Sequence, residues 1–197
     1  MEQVIPSRTS RWTEAEYLVM EEASPVKHEF RNGQVIDMAG GTLEHGLIAA
    51  NLLGELRNRF KEKPCIAVGS DMRVRISETG HYCYPDVSVV CGPPVFHPAD
   101  RRTNLVNPQV LIEVTSASTA SNDWADKFYD YMRIETLREY VLVSQDRPRV
   151  HTFYRQSDGV WAIGPFFARQ EESLKFRSLN IELPLSEIYG GVAFATP

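Results

Sequence analysis

Two acids stand inside runs that otherwise look like buried strands. Tyr84-Pro-Asp-Val-Ser-Val-Val90 and Val110-Leu-Ile-Glu-Val-Thr115 are apolar and β-branched, and each carries one carboxylate, Asp86 or Glu113. A lone carboxylate in such a run is costly to bury unless it is paired, protonated or bound to a metal. Converging from neighbouring strands, the two would make a hard, oxygen-rich site suited to Mg²⁺ or Mn²⁺. The competing reading puts each acid at a strand end, against a backbone N–H or an arginine. The two runs alone leave both readings open.

A hydrolytic site of this kind also wants a cation beside its acids. Thr115 lies two residues beyond Glu113 and on the same side of the strand, but it carries no charge. Lys127 falls on the core-facing stripe of a predicted helix, with Trp124, Phe128, Tyr131 and Met132. An Asp123–Lys127 ion pair, with the lysine stem snorkelling to water, explains that lysine without chemistry. His45 sits in line with Ile48, Ala49 and Leu52 at the start of a long helix, where a satisfied core histidine is the commoner outcome. Glu29 shares the polar face of a hairpin strand with Lys27 and Arg31 and by itself reads as solvated.

The elements that must position these residues are partly readable. Thr13-x-x-Glu16 is a capping box opening a helix through about Glu22. Asn32-Gly33 predicts a hairpin within Val26–Met38. Gly40-Gly41-Thr42 caps a helix whose Ile48, Leu52, Leu56 and Phe60 recur every four positions. Strands are expected at 65–69, 72–77, 84–91, 109–115, 139–144, 149–155 and 160–166, with a helix over about 121–134. A further short strand pair and a helical turn at 185–189 close the chain, and the Pro-, Asn- and Arg-rich loop 92–108 has no evident structure. Strands mixed with helices and hairpins indicate an α/β class with an antiparallel component, in one domain over 1–197.

Bulk properties narrow the function. A chain of 197 residues, 43% apolar and 24% charged, can build a sizeable core. Its apolar patches, such as Leu47–Leu53, fall far short of the roughly 20 residues that span a bilayer. The start of the chain lacks the apolar core of a signal peptide, and Cys65, Cys83 and Cys91 make no CxxC pair. They read as reduced thiols of a cytoplasmic protein that crosses no membrane. A net charge of −5 excludes a broad nucleic-acid coat, so any phosphate attraction must be local. Arg57, Arg59, Lys61, Lys63, Arg101, Arg102, Arg147 and Arg149 are the cations available, each more readily a solvated face than a footprint.

Taken together, "YPDVSVV" and "LIEVTSAS" resemble the PD-(D/E)XK nuclease superfamily, with Thr115 at the usual lysine position. The chain more closely resembles the Uma-two family of restriction-endonuclease-like proteins. Their "SPST…D…K…Y" segment and "EYWLVD"-like strand have counterparts here in "SASTASNDWADKFYDY" and "REYVLVS". "KHEFRNGQVIDMAGGTLEHGLIAANLL" is similar to that family's acid-containing hairpin and histidine-starting helix, so the likeness runs from about residue 12 to 190. It implies a restriction-endonuclease-like core: a mixed β-sheet flanked by helices, with an N-terminal helix and β-hairpin.

The resemblance implies Asp86 and Glu113 as metal ligands and Lys127 as the lysine, moved from strand to helix. Glu29 and His45 would complete the pocket as further ligands or water-orienting groups. It implies a Mg²⁺-dependent endonuclease, with Mn²⁺ as an alternative ion, acting on nucleic acid, DNA first, as a homodimer. Two departures stand out: Ala117 replaces the family's proline, and Ser144 replaces its strand-ending acid. The rival readings are a nuclease fold kept as a DNA-binding or protein-interaction module, a hydrolase of small phosphoesters, and acids that are purely structural.

Overall fold

The computed structural model describes residues 11–38, 40–98, 102–116 and 123–194. Its elements are α1 (Glu14–Ala23), β1 (His28–Arg31), β2 (Gln34–Asp37), α2 (Leu43–Arg59), β3 (Cys65–Gly69), β4 (Arg73–Ile76), β5 (His81–Cys83), β6 (Val87–Cys91), β7 (Asn104–Leu105), β8 (Val110–Thr115), α3 (Asp123–Tyr131), β9 (Glu139–Ser144), β10 (Val150–Arg155), β11 (Trp161–Phe167), β12 (Ser173–Phe176), β13 (Ile181–Pro184) and α4 (Leu185–Ile188).

Local signals explain the first half. Thr13 closes a capping box with Glu16 at the start of α1. Asn32 and Gly33 both take positive φ (50° and 77°), as a two-residue hairpin turn requires, and Arg31 pairs with Gln34 across it. Thr42 caps α2 by accepting the His45 amide at 3.2 Å, and Ile48, Leu52, Leu56 and Phe60 form its buried stripe.

A six-stranded sheet of order β11-β10-β9-β8-β6-β3 is the scaffold of the site, and it is mixed: β8 and β9 run parallel, the other pairs antiparallel. Strand alternation splits its side chains between two cores. Val87, Val89, Val110 and Ile112 pack with the α2 stripe, α4 and the β12–β13 pair. Val90, Leu111, Tyr140 and Leu142 pack on the other side with Tyr131 of α3 and with Val74, Ile76 and Cys83. Those last three belong to a five-stranded sheet of order β2-β1-β5-β4-β7. Glu113 follows Leu111 by two residues, so it projects to the α3 side.

Several expectations need correction. Cys65 and Cys91 form a disulfide, their Cα atoms 3.9 Å apart, and only Cys83 is free. The antiparallel register of β3 and β6 sets the two cysteines directly opposite each other, which linear spacing does not reveal. The strand expected at 84–91 starts at Val87; Pro85 has no N–H to donate to a ladder. The loop 92–108 is tied in: β7 pairs with β4, Phe96 bridges Leu105, and Asn107 binds the backbone of both Val95 and Pro93. Short β5 was not expected at all.

Candidate active site

The β6–β8 register brings the two acids together. Val87 faces Ile112, so extending the pairing by one residue sets Asp86 opposite Glu113. Asp86 does sit at a strand end against a backbone N–H, as the competing reading had it: its Oδ2 accepts from the Val114 amide at 2.7 Å. Its Oδ1 lies 2.9 Å from His45 Nε2, delivered by the first turn of α2. That contact, working against burial, raises the His45 pKa, and the charges of Asp86 and Glu113 add to the rise.

Gly41 leaves room for this ring, since a Cβ there would collide with His45 Nδ1. Gly41→Ala is therefore expected to push the imidazole off Asp86 and return its pKa toward 6.5. NMR titration of the His45 ring checks this; an unchanged titration would show that the pair survives.

Glu113 is 8% exposed. Its Oε1 accepts from the Tyr131 hydroxyl at 2.6 Å and lies 3.7 Å from Lys127 Nζ. Burial pushes its carboxyl up to about 7; Lys127 opposes this, the charges of Asp86 and Glu29 reinforce it, and the Tyr131 hydrogen bond lowers it. Lys127 also donates to Glu29 Oε1 at 3.0 Å. Burial alone would lower the Lys127 pKa, but Glu113 and Glu29 more than reverse that, so the ammonium is held charged. Glu29 is not solvated, because the polar face of β1 turns toward α3 and not toward water. Along that contact Glu29 meets Lys127, and Arg31 meets Asp130 at 2.8 Å, with His81 Nδ1 on Asp130 at 3.0 Å.

All five residues singled out from the sequence thus join in one run of contacts, His45 on Asp86, Asp86 opposite Glu113, Glu113 beside Lys127 and Lys127 on Glu29. Thr115 continues the Glu113 face, half-buried, with its carbonyl taken by the Gln145 amide. The cations divide by place. Arg59 and Lys63 are engaged with the β12–β13 pair and α4, and Arg59 stands fourteen residues beyond His45, about 20 Å along α2. Arg59 and Lys63 are thus committed away from Asp86 and Glu113. Arg147 is exposed on the turn whose Gln145 receives a hydrogen bond from Thr42 at the α2 cap. Arg101, Ala117 and the side chains of Asp123 and Trp124 lie outside the described residues. Sequence reasoning counted Tyr131 as core and gave Gly41 only a capping role. The Tyr131 signal was present, four residues after Lys127 on one helix face.

Among the described residues, no three His, Cys, Asp or Glu side chains converge as a ready-made metal cage. The donor set nevertheless fits a hard divalent ion. Mg²⁺ is typically held by one or two carboxylates and completed by water and substrate phosphate. Glu113 Oε2 accepts no hydrogen bond from the described residues, and burial, reinforced by the Asp86 and Glu29 charges, raises the Glu113 pKa, a cost to its carboxylate that a bound cation would relieve.

The fold is that of restriction-endonuclease-like nucleases. The chain belongs to the Uma2 family, described as "Putative restriction endonuclease", whose model matches residues 14–186. Two relatives come from Synechocystis sp. The "Uncharacterized protein slr1290" is 33% identical over 181 residues, 91% of this chain and 92% of the relative. The "Uncharacterized protein sll1609" is 32% identical over 178 residues, 90% and 99% of the two chains. Among solved structures, a "putative nuclease belonging to DUF820" from Anabaena variabilis superposes with a TM-score of 0.74. It is 15% identical, over 92% of this chain and 99% of that one, and it supports the fold. Among the described residues, no helix is long and apolar enough to cross a membrane.

Proposed function

We propose that this protein is a divalent-metal-dependent endonuclease that hydrolyses phosphodiester bonds of DNA, working as a cytoplasmic homodimer with Mg²⁺ or Mn²⁺. The observation that carries it is the opposition of Asp86 and Glu113 with the Lys127 ammonium 3.7 Å from Glu113. In the hydrolysis, water adds to phosphorus and releases a proton to solvent, the P–O bond to one sugar oxygen breaks, and that oxygen takes up a proton from solvent. Asp86 and Glu113 would hold the cation, which when bound polarises the phosphoryl group and offsets the charge of the transition state.

The chain's own groups do the rest. Lys127 is held protonated, so it serves as a hydrogen-bond donor and fixed positive charge beside the phosphate, not as a base. Glu29 orients that ammonium. The Val114 amide and His45 fix Asp86, leaving it no freedom to swing away from Glu113. Arg147, on the same side as the α2 cap, is the best-placed cation for a neighbouring phosphate. A two-fold dimer would offer one such site to each strand of a duplex.

The test is calorimetric titration of Mg²⁺ and Mn²⁺ into the protein, with plasmid nicking measured before and after chelation. Saturable binding together with nicking that chelation stops and added metal restores is the expected result. Binding without nicking would favour a nuclease fold retained as a binding module. Absence of both would overturn the proposal.

A further inference from the structure

Tyr131 takes no part in the chemistry above, yet it spends its hydroxyl on Glu113. The side chain is 1% exposed, its ring stands edge-on to Tyr140 at 5.2 Å, and its hydroxyl donates to Glu113 Oε1 at 2.6 Å. The same oxygen faces Lys127 Nζ. Two donors therefore crowd Oε1, while no hydrogen bond from the described residues reaches Oε2. Asp86 differs in having both oxygens engaged, the Val114 amide on Oδ2 and His45 at Oδ1, so a cation would share Oδ1 with the imidazole or displace it.

The division at Glu113 matters because divalent ions differ in what they ask of a carboxylate. Ca²⁺ takes about 6–8 oxygens in flexible arrangements and can use both oxygens of one carboxylate, whereas Mg²⁺ demands a near-octahedral set, keeps several waters and draws on only one or two carboxylates. We propose that Tyr131 is a specificity-determining residue that, by occupying Glu113 Oε1, restricts Glu113 to offering a cation only Oε2 and so favours Mg²⁺ and Mn²⁺ over Ca²⁺. The inference rests on the metal-site reading of Asp86 and Glu113 and adds the choice of ion to it. Tyr131 is a positioning residue: it acts through Glu113 and touches neither cation nor substrate. Its ring is fixed by the core between α3 and the six-stranded sheet, so Oε1 stays engaged whichever ion arrives.

The test uses Tyr131→Phe, which keeps the ring and its packing and removes a single oxygen. Mg²⁺, Mn²⁺ and Ca²⁺ are titrated separately into wild type and variant by calorimetry. Removing a group that orients a metal ligand typically changes metal affinity by about 10–100-fold. Accordingly the ratio of Ca²⁺ to Mg²⁺ affinity is expected to rise about tenfold in Tyr131→Phe, as Glu113 gains a second oxygen to offer. An unchanged ratio, with the wild type binding Mg²⁺, overturns the role of Tyr131 and leaves the metal site standing. No binding of any of the three ions by the wild type overturns both.

A second measurement needs no variant of Tyr131. Infrared difference spectra of the wild type on adding Mg²⁺ or Ca²⁺, with the Glu113 band identified by its loss in Glu113→Gln, report how many oxygens the carboxylate commits. A one-oxygen splitting with both ions supports the proposal. A two-oxygen splitting with Ca²⁺ in the wild type overturns it, whether or not Tyr131→Phe folds.

Discussion

Lys127→Met is expected to destabilise the protein by about 3–5 kcal/mol and to lower metal-dependent nicking by about 10²–10³-fold, the costs of breaking a buried ion pair and of losing one preorganised donor. The methionine fills most of the lysine's volume, so the loss measures charge and not packing. Glu113 would be left against Tyr131 alone, and Glu29 would keep only a 3.4 Å contact from the Tyr84 amide. Three acids, Asp86, Glu113 and Glu29, would then stand together with His45 as the one basic side chain within hydrogen-bond reach of any of them among the described residues. Rescue by metal is expected in turn. A divalent cation supplies the missing positive charge, so added Mg²⁺ or Mn²⁺ should raise the melting temperature of Lys127→Met more than that of the wild type, by ordinary binding linkage. Thermal unfolding with and without metal decides the matter. Equal stability and equal nicking in the two proteins would remove Lys127 from the site; a stability loss without metal rescue would make the lysine a structural counter-ion only.

The parts of this arrangement that could be read from sequence are those carried by local rules. The Asn32-Gly33 turn, the Thr13 and Thr42 caps and the four-residue stripe of α2 each follow from chemistry within a few residues, and each is where expected. Asp86 and Glu113 stood out because a carboxylate in an apolar run needs a reason. That they face each other is a property of the β6–β8 register, which no local rule specifies. Glu29 was harder still. A polar residue on a hairpin strand looks the same whether its neighbour is water or a helix, and here α3 covers it. The Cys65–Cys91 bridge has the same origin, since pairing between β3 and β6 was invisible from a separation of 26 residues. β5 and β7 were missed because strands of three and two residues are too short to show a period. Tyr131 was legible only as an apolar position: its ring is core packing, and its hydroxyl is what reaches Glu113.

Stability is expected to fall as pH rises through the Glu113 transition, and Glu113→Gln to remove that fall. The sign follows from proton counts. In the folded chain burial lifts the Glu113 carboxyl to about 7, against an ordinary value near 4.5. Below about 4.5 both folded and unfolded chains hold the proton. Between about 4.5 and 7 the folded chain holds it and the unfolded chain does not, so each step up in pH favours unfolding. The contribution is complete below the lower value and gone above the upper one, and its size is on the order of a few kcal/mol. His45, also raised, acts in the same direction, which is why comparison with Glu113→Gln is needed to isolate one group. Urea unfolding from pH 4 to 8 should show the gap between wild type and Glu113→Gln widening in favour of the variant as pH rises. The same proton competes with any cation, because a protonated carboxyl is a poor ligand. Mg²⁺ affinity should therefore climb with pH until Glu113 is ionised and then level off, with proton release visible in buffers of different ionisation enthalpy. Parallel stability profiles in the two proteins would mean that Glu113 is already a carboxylate at low pH, paired by Lys127 strongly enough to overcome its burial.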